Sequence, residues 1–225
     1  MSTAGSAQAG FPDPWNSAAW ADAVGAGEGD LSLRDGEGWC MPLDVERWSG
    51  RPDTGDRSVV ERCAGKVLDI GCGGGRFVEA LASRGHDVLG IDVCPSAVIS
   101  TVCRGGAARS GSVFDPLPEE GAWDTALLID GNIGIGGDPR LLLRRVRDLV
   151  SDQGLLIAET SRADVDERRR VRIHAGRRAV SPDFPWATVG THTLTRYAGL
   201  SGWTVAEQWI TTSVERHFVA LRARA

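Results

Sequence analysis

A glycine-rich turn that follows a short apolar segment carries the residues of this chain best suited to bind a nucleotide-like ligand. Residues 67–70 are apolar apart from Asp69, and Gly71 and Gly73 come next, before Arg76. Glycines permit a tight turn and let backbone N–H groups approach a ligand closely. A second apolar segment ends at Asp92, and an acid at that point can accept hydrogen bonds from the hydroxyls of a ribose. The spacing therefore predicts a site for a cofactor that contains a nucleoside.

The side chains around this turn discriminate between two kinds of cofactor. A turn that binds dinucleotides has the pattern Gly-x-Gly-x-x-Gly/Ala, and here Arg76 occupies the position where a small residue allows helix and strand to pack closely. Asp69 would repel a pyrophosphate, whereas it can meet a cationic group. Both residues favour a positively charged cofactor without phosphate and disfavour a nicotinamide dinucleotide.

Residues 67–75 together with Asp92 resemble the first two motifs of class I S-adenosylmethionine-dependent methyltransferases, and the resemblance extends over about residues 56–222. It implies an α/β fold with a seven-stranded, mostly parallel sheet. The implied strand order is 3-2-1-4-5-7-6, with strand 7 antiparallel and helices on both faces. The resemblance also implies S-adenosyl-L-methionine as the cofactor. The chain resembles in particular small bacterial members of the family whose substrates are unsettled.

The resemblance implies cofactor contacts residue by residue. Asp69 and the glycine turn would contact the methionine part, Asp92 the ribose hydroxyls and Val93 the adenine. The family usually has an acid near residues 112–114 that accepts a hydrogen bond from the adenine amino group. This chain has none there, and either Ser112 or the more distant Asp115 would replace it. The implied cofactor-binding residues are Asp69, Gly71, Cys72, Gly73, Asp92, Val93, Ser112, Val113, Phe114 and Asp130.

Three polar residues near the ends of two later strands are candidates for catalysis: Asp130, Asn132 and Glu159. In the resembled family the loop that begins near residue 130 faces the transferring methyl group, so Asp130 and Asn132 would contact cofactor or substrate. Asp130 or Glu159 would act as the general base, and capping of the following loop is the alternative for each. A metal-dependent member would need an Asp-Asn pair after the fifth strand, which this chain lacks. We therefore predict no metal.

These residues depend on alternating strands and helices that bring them to one edge of a sheet. Apolar runs predict strands at 66–70, 87–92, 107–114, 125–130, 155–159, 203–209 and 216–222. Amphipathic segments predict helices at 74–84, 95–105, 138–151 and 191–200. Strands that alternate with helices favour a parallel sheet, whose ligands lie beyond the carboxyl ends of the strands.

The segments outside this alternation define the expected domain organisation. We predict a disordered tail over residues 1–12, an N-terminal helical cap over 13–64 and a methyltransferase core over 65–225 with a lid insertion at 161–190. Alternating apolar and polar residues within the insertion, followed by a turn at Gly176, predict a β-hairpin. The insertion is rich in arginine, which indicates either a solvated charged face or recognition of an anionic substrate. The candidate substrate residues are Trp48, Arg172, His174 and Trp186.

The composition restricts the partners. The 225 residues carry a formal net charge of −5, which disfavours nucleic acid as the main ligand. No apolar run approaches the length of about 20 residues needed to cross a bilayer, and the first residues lack the pattern of a secretion signal. The 5 cysteines form no paired motif, which favours the reducing cytoplasm. Lys66 is the only lysine, a bias typical of bacteria with GC-rich genomes.

The sequence thus predicts a cytoplasmic, bacterial S-adenosylmethionine-dependent methyltransferase, monomeric or homodimeric, that modifies an oxygen, nitrogen or carbon atom of a small molecule. Three alternatives stay open. The first is a methyltransferase that acts on RNA or protein. The second is a protein that binds the same cofactor in a regulatory or non-methylating role, and the third is a nicotinamide-dependent oxidoreductase.

Overall fold

The computed structural model describes residues 14–16 and 18–224 of the chain, without the side chain of Asn16. The tail predicted over residues 1–12 lies outside the described residues. In chain order the strands are β1 (Leu31–Arg34), β2 (Cys40–Leu43), β3 (Val67–Ile70), β4 (Val88–Asp92), β5 (Ala108–Ser110), β6 (Trp123–Leu128), β7 (Val150–Thr160), β8 (Asp166–Ala175), β9 (Arg178–Ala179), β10 (Phe184–Val189), β11 (Trp203–Thr211) and β12 (Arg216–Ala223).

Helices connect these strands. They are α1 (Ala18–Ala26), α2 (Val45–Ser49), α3 (Thr54–Val60), α4 (Arg76–Ala82), α5 (Pro95–Cys103), α6 (Pro139–Leu149) and α7 (Thr191–Gly199), with short 3-10 turns at Pro14–Asn16 and Asn132–Gly137. Proline at the first turn begins both α5 and α6, since its missing N–H has no intrahelical partner there. No helix among the described residues is long and apolar enough to span a membrane.

Seven strands form the main sheet, in the order β5-β4-β3-β6-β7-β12-β11. Counted along the chain within this sheet, the order is 3-2-1-4-5-7-6. Neighbouring strands from β5 to β7 are parallel, and β12 runs antiparallel to both β7 and β11. The predicted α/β class and seven-stranded sheet are therefore confirmed. Some boundaries were wrong. The strand expected over 155–159 begins at Val150, where the preceding helix has already ended. The strand expected over 107–114 ends at Ser110, because a turn follows in which Asp115 N–H donates to the carbonyl of Ser112.

Both faces of this sheet are buried, and the strand residues alternate between them. In β6, Ala126 and Leu128 pack into the cluster that contains α6 and α7 residues, whereas Leu127 packs with residues of α3 and α4 on the opposite face. Such two-sided burial explains why the strand is almost uniformly apolar. It also leaves only the carboxyl edge of the parallel strands open for a ligand.

A second, smaller sheet covers that edge. Its strands lie in the order β10-β8-β1-β2, and β9 pairs with β8. The segment 161–190 supplies β8, β9 and β10, and the N-terminal segment supplies the β1–β2 hairpin. The helical cap predicted over 13–64 also contains the strands β1 and β2, and β1 pairs antiparallel with β8, Leu33 opposite Ile173. Cap and insertion share one core, in which both of these side chains are 0% exposed.

The burial of Leu33 generates a stability prediction. Leu33 lies in β1, and its side chain is 0% exposed in the core that it shares with aromatic residues of the cap. Because Leu33→Ala removes most of this side chain, we expect a loss of about 2–5 kcal/mol in the free energy of unfolding. Urea denaturation followed by tryptophan fluorescence measures it. Leu200→Ala, at a residue 65% exposed, is the matched control and should change little. Equal effects of the two substitutions would contradict the packing of β1 against β8.

Candidate functional site

A cavity of about 300 Å³ lies at the carboxyl ends of β3, β4 and β6, beneath the second sheet. The turn after β3 lines it, together with aromatic residues of the cap and the insertion. All of the cofactor-binding residues predicted from the sequence line this cavity: Asp69, Gly71, Cys72, Gly73, Asp92, Val93, Ser112, Val113, Phe114 and Asp130. The structure thus brings together residues that are up to 61 positions apart in the sequence.

The glycine turn has a conformation that excludes larger residues. Gly71 and Gly73 have φ values of 74° and 53°, in the left-handed region that favours glycine. A Cβ atom on Gly71 would lie 2.5 Å from Asn132 Nδ2. That amide nitrogen donates to the carbonyl oxygens of Ile70 at 2.8 Å and Gly71 at 3.0 Å. The predicted catalytic residue Asn132 therefore lies in the cavity wall, with its amide nitrogen holding the turn in place.

Asp92 is fixed at the end of β4 by two backbone donors. Its Oδ2 accepts from the N–H of Gly73 at 2.9 Å, and its Oδ1 accepts from the N–H of Cys94 at 2.8 Å. Each carboxylate oxygen can accept more than one hydrogen bond. The carboxylate is therefore oriented in advance and can still accept from hydroxyl groups of a ligand.

Asp69 is a buried carboxyl group in the cavity wall that lacks one hydrogen-bond donor among the described residues. The residue is 3% exposed, and its Oδ2 is buried without a hydrogen-bond donor among the described residues. Burial raises the pKa of Asp69 to about 7; Arg76 opposes this rise, and the nearby carboxylates of Asp130 and Asp92 add to it. A buried acid of this kind is stabilised by a cationic ligand, because the added charge favours its ionised form.

Beside Asp69 lies a buried ion cluster of three arginines and four acids: Arg47, Arg76, Arg216, Asp53, Asp56, Asp130 and Glu159. Arg76 begins α4 and pairs with Asp56 (Nε–Oδ2, 2.8 Å) and with Asp130 (Nη2–Oδ2, 2.8 Å). Its side chain is 2% exposed and that of Asp56 is 0% exposed. Arg76 therefore links α4 to Asp56 and Asp130 through buried ion pairs, a role that its position after the glycine turn did not predict.

Arg216 joins this cluster from the start of β12. It donates to both carboxylate oxygens of Glu159 at 2.8 Å and to Oδ1 of Asp56 at 2.7 Å. The sequence did not single out Arg47, Arg216, Asp53 or Asp56. One local signal was available: Asp53 and Asp56 have the three-residue spacing of a capping box, and each accepts from the other's backbone N–H at the start of α3.

The ion cluster alters the roles expected of the two candidate bases. Asp130 contacts Arg47 at 2.6 Å and Arg216 at 3.3 Å in addition to Arg76. Burial would raise the pKa of Asp130, but the three guanidinium groups outweigh it and hold the pKa below its ordinary value. A carboxylate held in this way is a weak proton acceptor.

Glu159 differs more from its expected role. Its carboxylate accepts from Arg216 and from the backbone N–H of Asp130 at 2.8 Å, and the residue does not line the cavity. This bond supports an unusual backbone, because Asp130 has a φ of 59° and the following Gly131 a φ of 85°. Non-glycine residues in this region are uncommon and often mark functional loops. The expectation of Glu159 as general base is therefore corrected: it supports the loop at Asp130.

The four predicted substrate residues fall into two groups. Trp48 and Trp186 line the cavity. Arg172 and His174 do not, because they alternate along β8 with Val171 and Ile173, whose side chains are buried in the core beneath the second sheet. Arg172 instead donates two hydrogen bonds to Asp183 at 2.7 and 3.0 Å. Both Arg172 and His174 thus lie outside the cavity, which corrects the expectation that they contact a substrate there.

The arginine-rich insertion is an ion-paired surface. Arg168 pairs with Asp166, and Arg169 pairs with Asp35 at 2.7 Å. Among the described residues that line the cavity, Arg76 is the sole arginine, and Asp56 and Asp130 neutralise it. The described lining residues therefore provide no unpaired cation that could bind an anionic substrate, so the cavity does not support that expectation. No group of three metal-ligating side chains occurs among the described residues.

Residues 45–208 of the chain, well over half of it, match a family model described as a methyltransferase domain. The chain belongs to this methyltransferase family. The curated relatives with which this methyltransferase aligns include the ubiquinone biosynthesis O-methyltransferase of Azorhizobium caulinodans, 30% identical over 101 residues, which are 42% of the chain and 40% of the relative. The same-named enzyme of Acinetobacter baumannii is 60% identical over 39 residues, 16% of each protein. The chain thus spans at most about two fifths of these relatives.

Solved structures resemble the methyltransferase over more of its length. A SAM-dependent methyltransferase from Bacteroides fragilis, in complex with S-adenosyl-L-homocysteine, has a TM-score of 0.77 and 22% identity, covering 96% of this chain and 98% of that one. A 1,6-didemethyltoxoflavin N1-methyltransferase from Burkholderia thailandensis has a TM-score of 0.55 and 18% identity, covering 75% of each chain. At these identities the likeness shows a shared fold.

The ion cluster of the methyltransferase generates a second stability prediction. Arg216→Ala leaves buried carboxylates without their counter-charge, so we expect a loss of about 3–5 kcal/mol in the free energy of unfolding. Arg172→Ala is the matched control, because this arginine also makes two bonds to one carboxylate but at the exposed surface. It should leave the urea midpoint nearly unchanged. Similar midpoints for the two variants would contradict a structural role for the cluster.

Proposed function

We propose that this protein is an enzyme that transfers a methyl group from S-adenosylmethionine to a small molecule. One observation carries the proposal: in a member of the methyltransferase family, the buried carboxylate of Asp69 lies beside a glycine turn, and its Oδ2 lacks a donor among the residues that the structure describes. The cofactor carries an ammonium and a sulfonium group and no phosphate. Its charges therefore match the acidic side of the cavity, whereas a pyrophosphate would be repelled.

The residues of the cavity fit each part of this cofactor. Asp69 would hold the ammonium group, and Asp92 would accept from the ribose hydroxyls. Val93 and Val113 offer apolar surface for the adenine ring. Ser112 lines the cavity, whereas Asp115 does not and instead accepts from the N–H of Ser112 at 3.1 Å. Of the two alternatives for a contact to the adenine amino group, this geometry favours Ser112.

When bound, the cofactor supplies a methyl group already activated by the sulfonium. The protein then has to align the acceptor with that carbon and to exclude water. The second sheet and the cap cover the carboxyl edge of the main sheet and form the aromatic side of the cavity. A covered cavity suits a small acceptor better than a macromolecule. The 5 free thiols support a reducing, cytoplasmic location.

The pKa of Asp69 generates a test of the proposed cofactor. Since this pKa is raised to about 7, the carboxyl is protonated at lower pH and must release its proton to pair with an ammonium group. The affinity for S-adenosylhomocysteine should therefore rise as the pH increases from 5.5 to 7.5, by about tenfold per unit on the acidic side. Isothermal titration calorimetry measures the affinity and the proton release.

Asp69→Asn provides the comparison for this titration. The variant cannot ionise at this position, so it should bind S-adenosylhomocysteine more weakly and with an affinity that does not change over the same pH range. A wild-type affinity that is independent of pH would exclude Asp69 as the group that receives the ammonium. Binding of NAD in place of the adenosyl ligand would overturn the proposed function.

Asp92 generates a separate prediction for the ribose. Asp92→Ala removes the acceptor at the end of β4, so we expect the affinity for S-adenosylhomocysteine to weaken by about 1–3 kcal/mol, the scale of a hydrogen bond to a charged group. Asp87→Ala, at an exposed residue just before the same strand, is the control and should bind as the wild type does. An unchanged affinity of the Asp92 variant would mean that other groups hold the ribose.

A further inference from the structure

Part of the cavity lining is an aromatic wall formed by Trp15, Trp20, Trp48, Phe184 and Trp186. The ring centroid of Trp15 lies 4.9 Å from that of Trp20, 5.4 Å from that of Phe184 and 5.7 Å from that of Trp186. The ring centroids of Trp20 and Trp48 are 6.1 Å apart. The N-terminal segment supplies three of these rings and the insertion supplies two. The wall adds no ionisable side chain to the cavity. Its shape and polarity therefore suit a flat, uncharged ring system.

Proton acceptors are scarce in the same cavity. Among the described residues that line it there is no histidine, lysine or tyrosine. Three guanidinium groups surround the carboxylate of Asp130, and burial raises the pKa of the Cys72 thiol well above its ordinary value. Asp69 and Asp92 are assigned to the cofactor in the proposed function. Among the described residues that line the cavity, no side chain is thus left to take the proton of a hydroxyl as it attacks a methyl carbon.

We propose that the methyl acceptor is a neutral nitrogen atom of a planar aromatic amine held against the aromatic wall. This inference rests on the proposed function. A neutral amine attacks through its lone pair and needs no prior loss of a proton. The N–C bond forms as the C–S bond breaks, the electron pair of the broken bond stays on sulfur, and the positive charge passes to nitrogen. The methylated ammonium then releases its proton to water.

The charge that develops at nitrogen is stabilised by the surroundings. Aromatic faces attract cations within about 6 Å of the ring centroid, with tryptophan the strongest. A phenolate would gain nothing from these faces, and the carboxylate of Asp92 would repel it. The aromatic wall therefore favours nitrogen because the reaction delivers a positive charge to the acceptor. The lack of a base among the described lining residues favours nitrogen because a neutral amine needs no prior loss of a proton.

The test compares two acceptors that differ in one group, 1-naphthylamine and 1-naphthol, both uncharged at pH 7. Binding of S-adenosylhomocysteine is measured first by calorimetry, and methyl transfer from S-adenosylmethionine is then followed by mass spectrometry. We expect the amine to be methylated at least about tenfold faster than the alcohol, which corresponds to a difference of about 1.4 kcal/mol in activation free energy. A faster reaction of naphthol, or turnover of neither compound by a protein that binds the cofactor product, overturns the inference. Failure to bind S-adenosylhomocysteine overturns the proposed function instead.

Two tryptophan variants locate the acceptor. Trp48→Leu removes one face of the aromatic wall and should raise the KM for naphthylamine by about tenfold with a smaller change in kcat, because it loses a stacking contact. Trp39→Leu is the matched control: Trp39 belongs to the same cap but does not line the cavity, and it lies beside Arg169 instead. Its KM should equal that of the wild type. Equal KM values for the two variants would place the amine elsewhere and overturn the inference.

Discussion

The buried ion cluster is the interaction on which the rest of this site depends. Its charges come from distant parts of the chain: Arg47 and Asp56 from the cap, Arg76 from the start of α4, Asp130 from the loop after β6, and Arg216 from the start of β12. Buried charges are costly to remove from water unless each is paired with good geometry. The cap, the glycine turn and the main sheet must therefore take one relative position to satisfy the cluster.

This constraint separates the acids in and beside the cavity into two kinds. Asp130 and Glu159 are neutralised by arginines and hold the backbone at the end of β6. Asp92 accepts from the backbone N–H groups of Gly73 and Cys94, and Asp69 is buried with Oδ2 lacking a hydrogen-bond donor among the described residues. Their negative charge thus remains for a ligand. The environment, and not the residue type, decides which carboxylate supports the fold and which serves the cofactor.

Local patterns in the sequence predicted the central strands β3, β4, β6 and β7 because these are apolar runs that are mostly buried, whereas the order of the seven strands was implied by the family resemblance. The cofactor side was predictable for a related reason: Asp69, Asp92 and the glycines lie at the strand ends, and the parallel order brings those ends together. β1 was missed because four residues, Leu31–Arg34, carry too little alternation to be distinguished from a loop. The ion cluster was missed because its pairs join residues as far apart as Asp53 and Arg216, and no local pattern encodes such a pairing. Asp130 and Glu159 were found by position, but their partners determine their role.

A crystal structure of the protein with S-adenosylhomocysteine tests the central claim most directly. The account predicts that Asp69 lies within hydrogen-bond distance of the ligand's amino nitrogen and Asp92 of its ribose hydroxyls, while Asp130 keeps its bonds to Arg47, Arg76 and Arg216. The aromatic wall should then face the sulfur atom. A ligand bound away from Asp69, or an Asp130 carboxylate released from its arginines and directed at the sulfur, would contradict it.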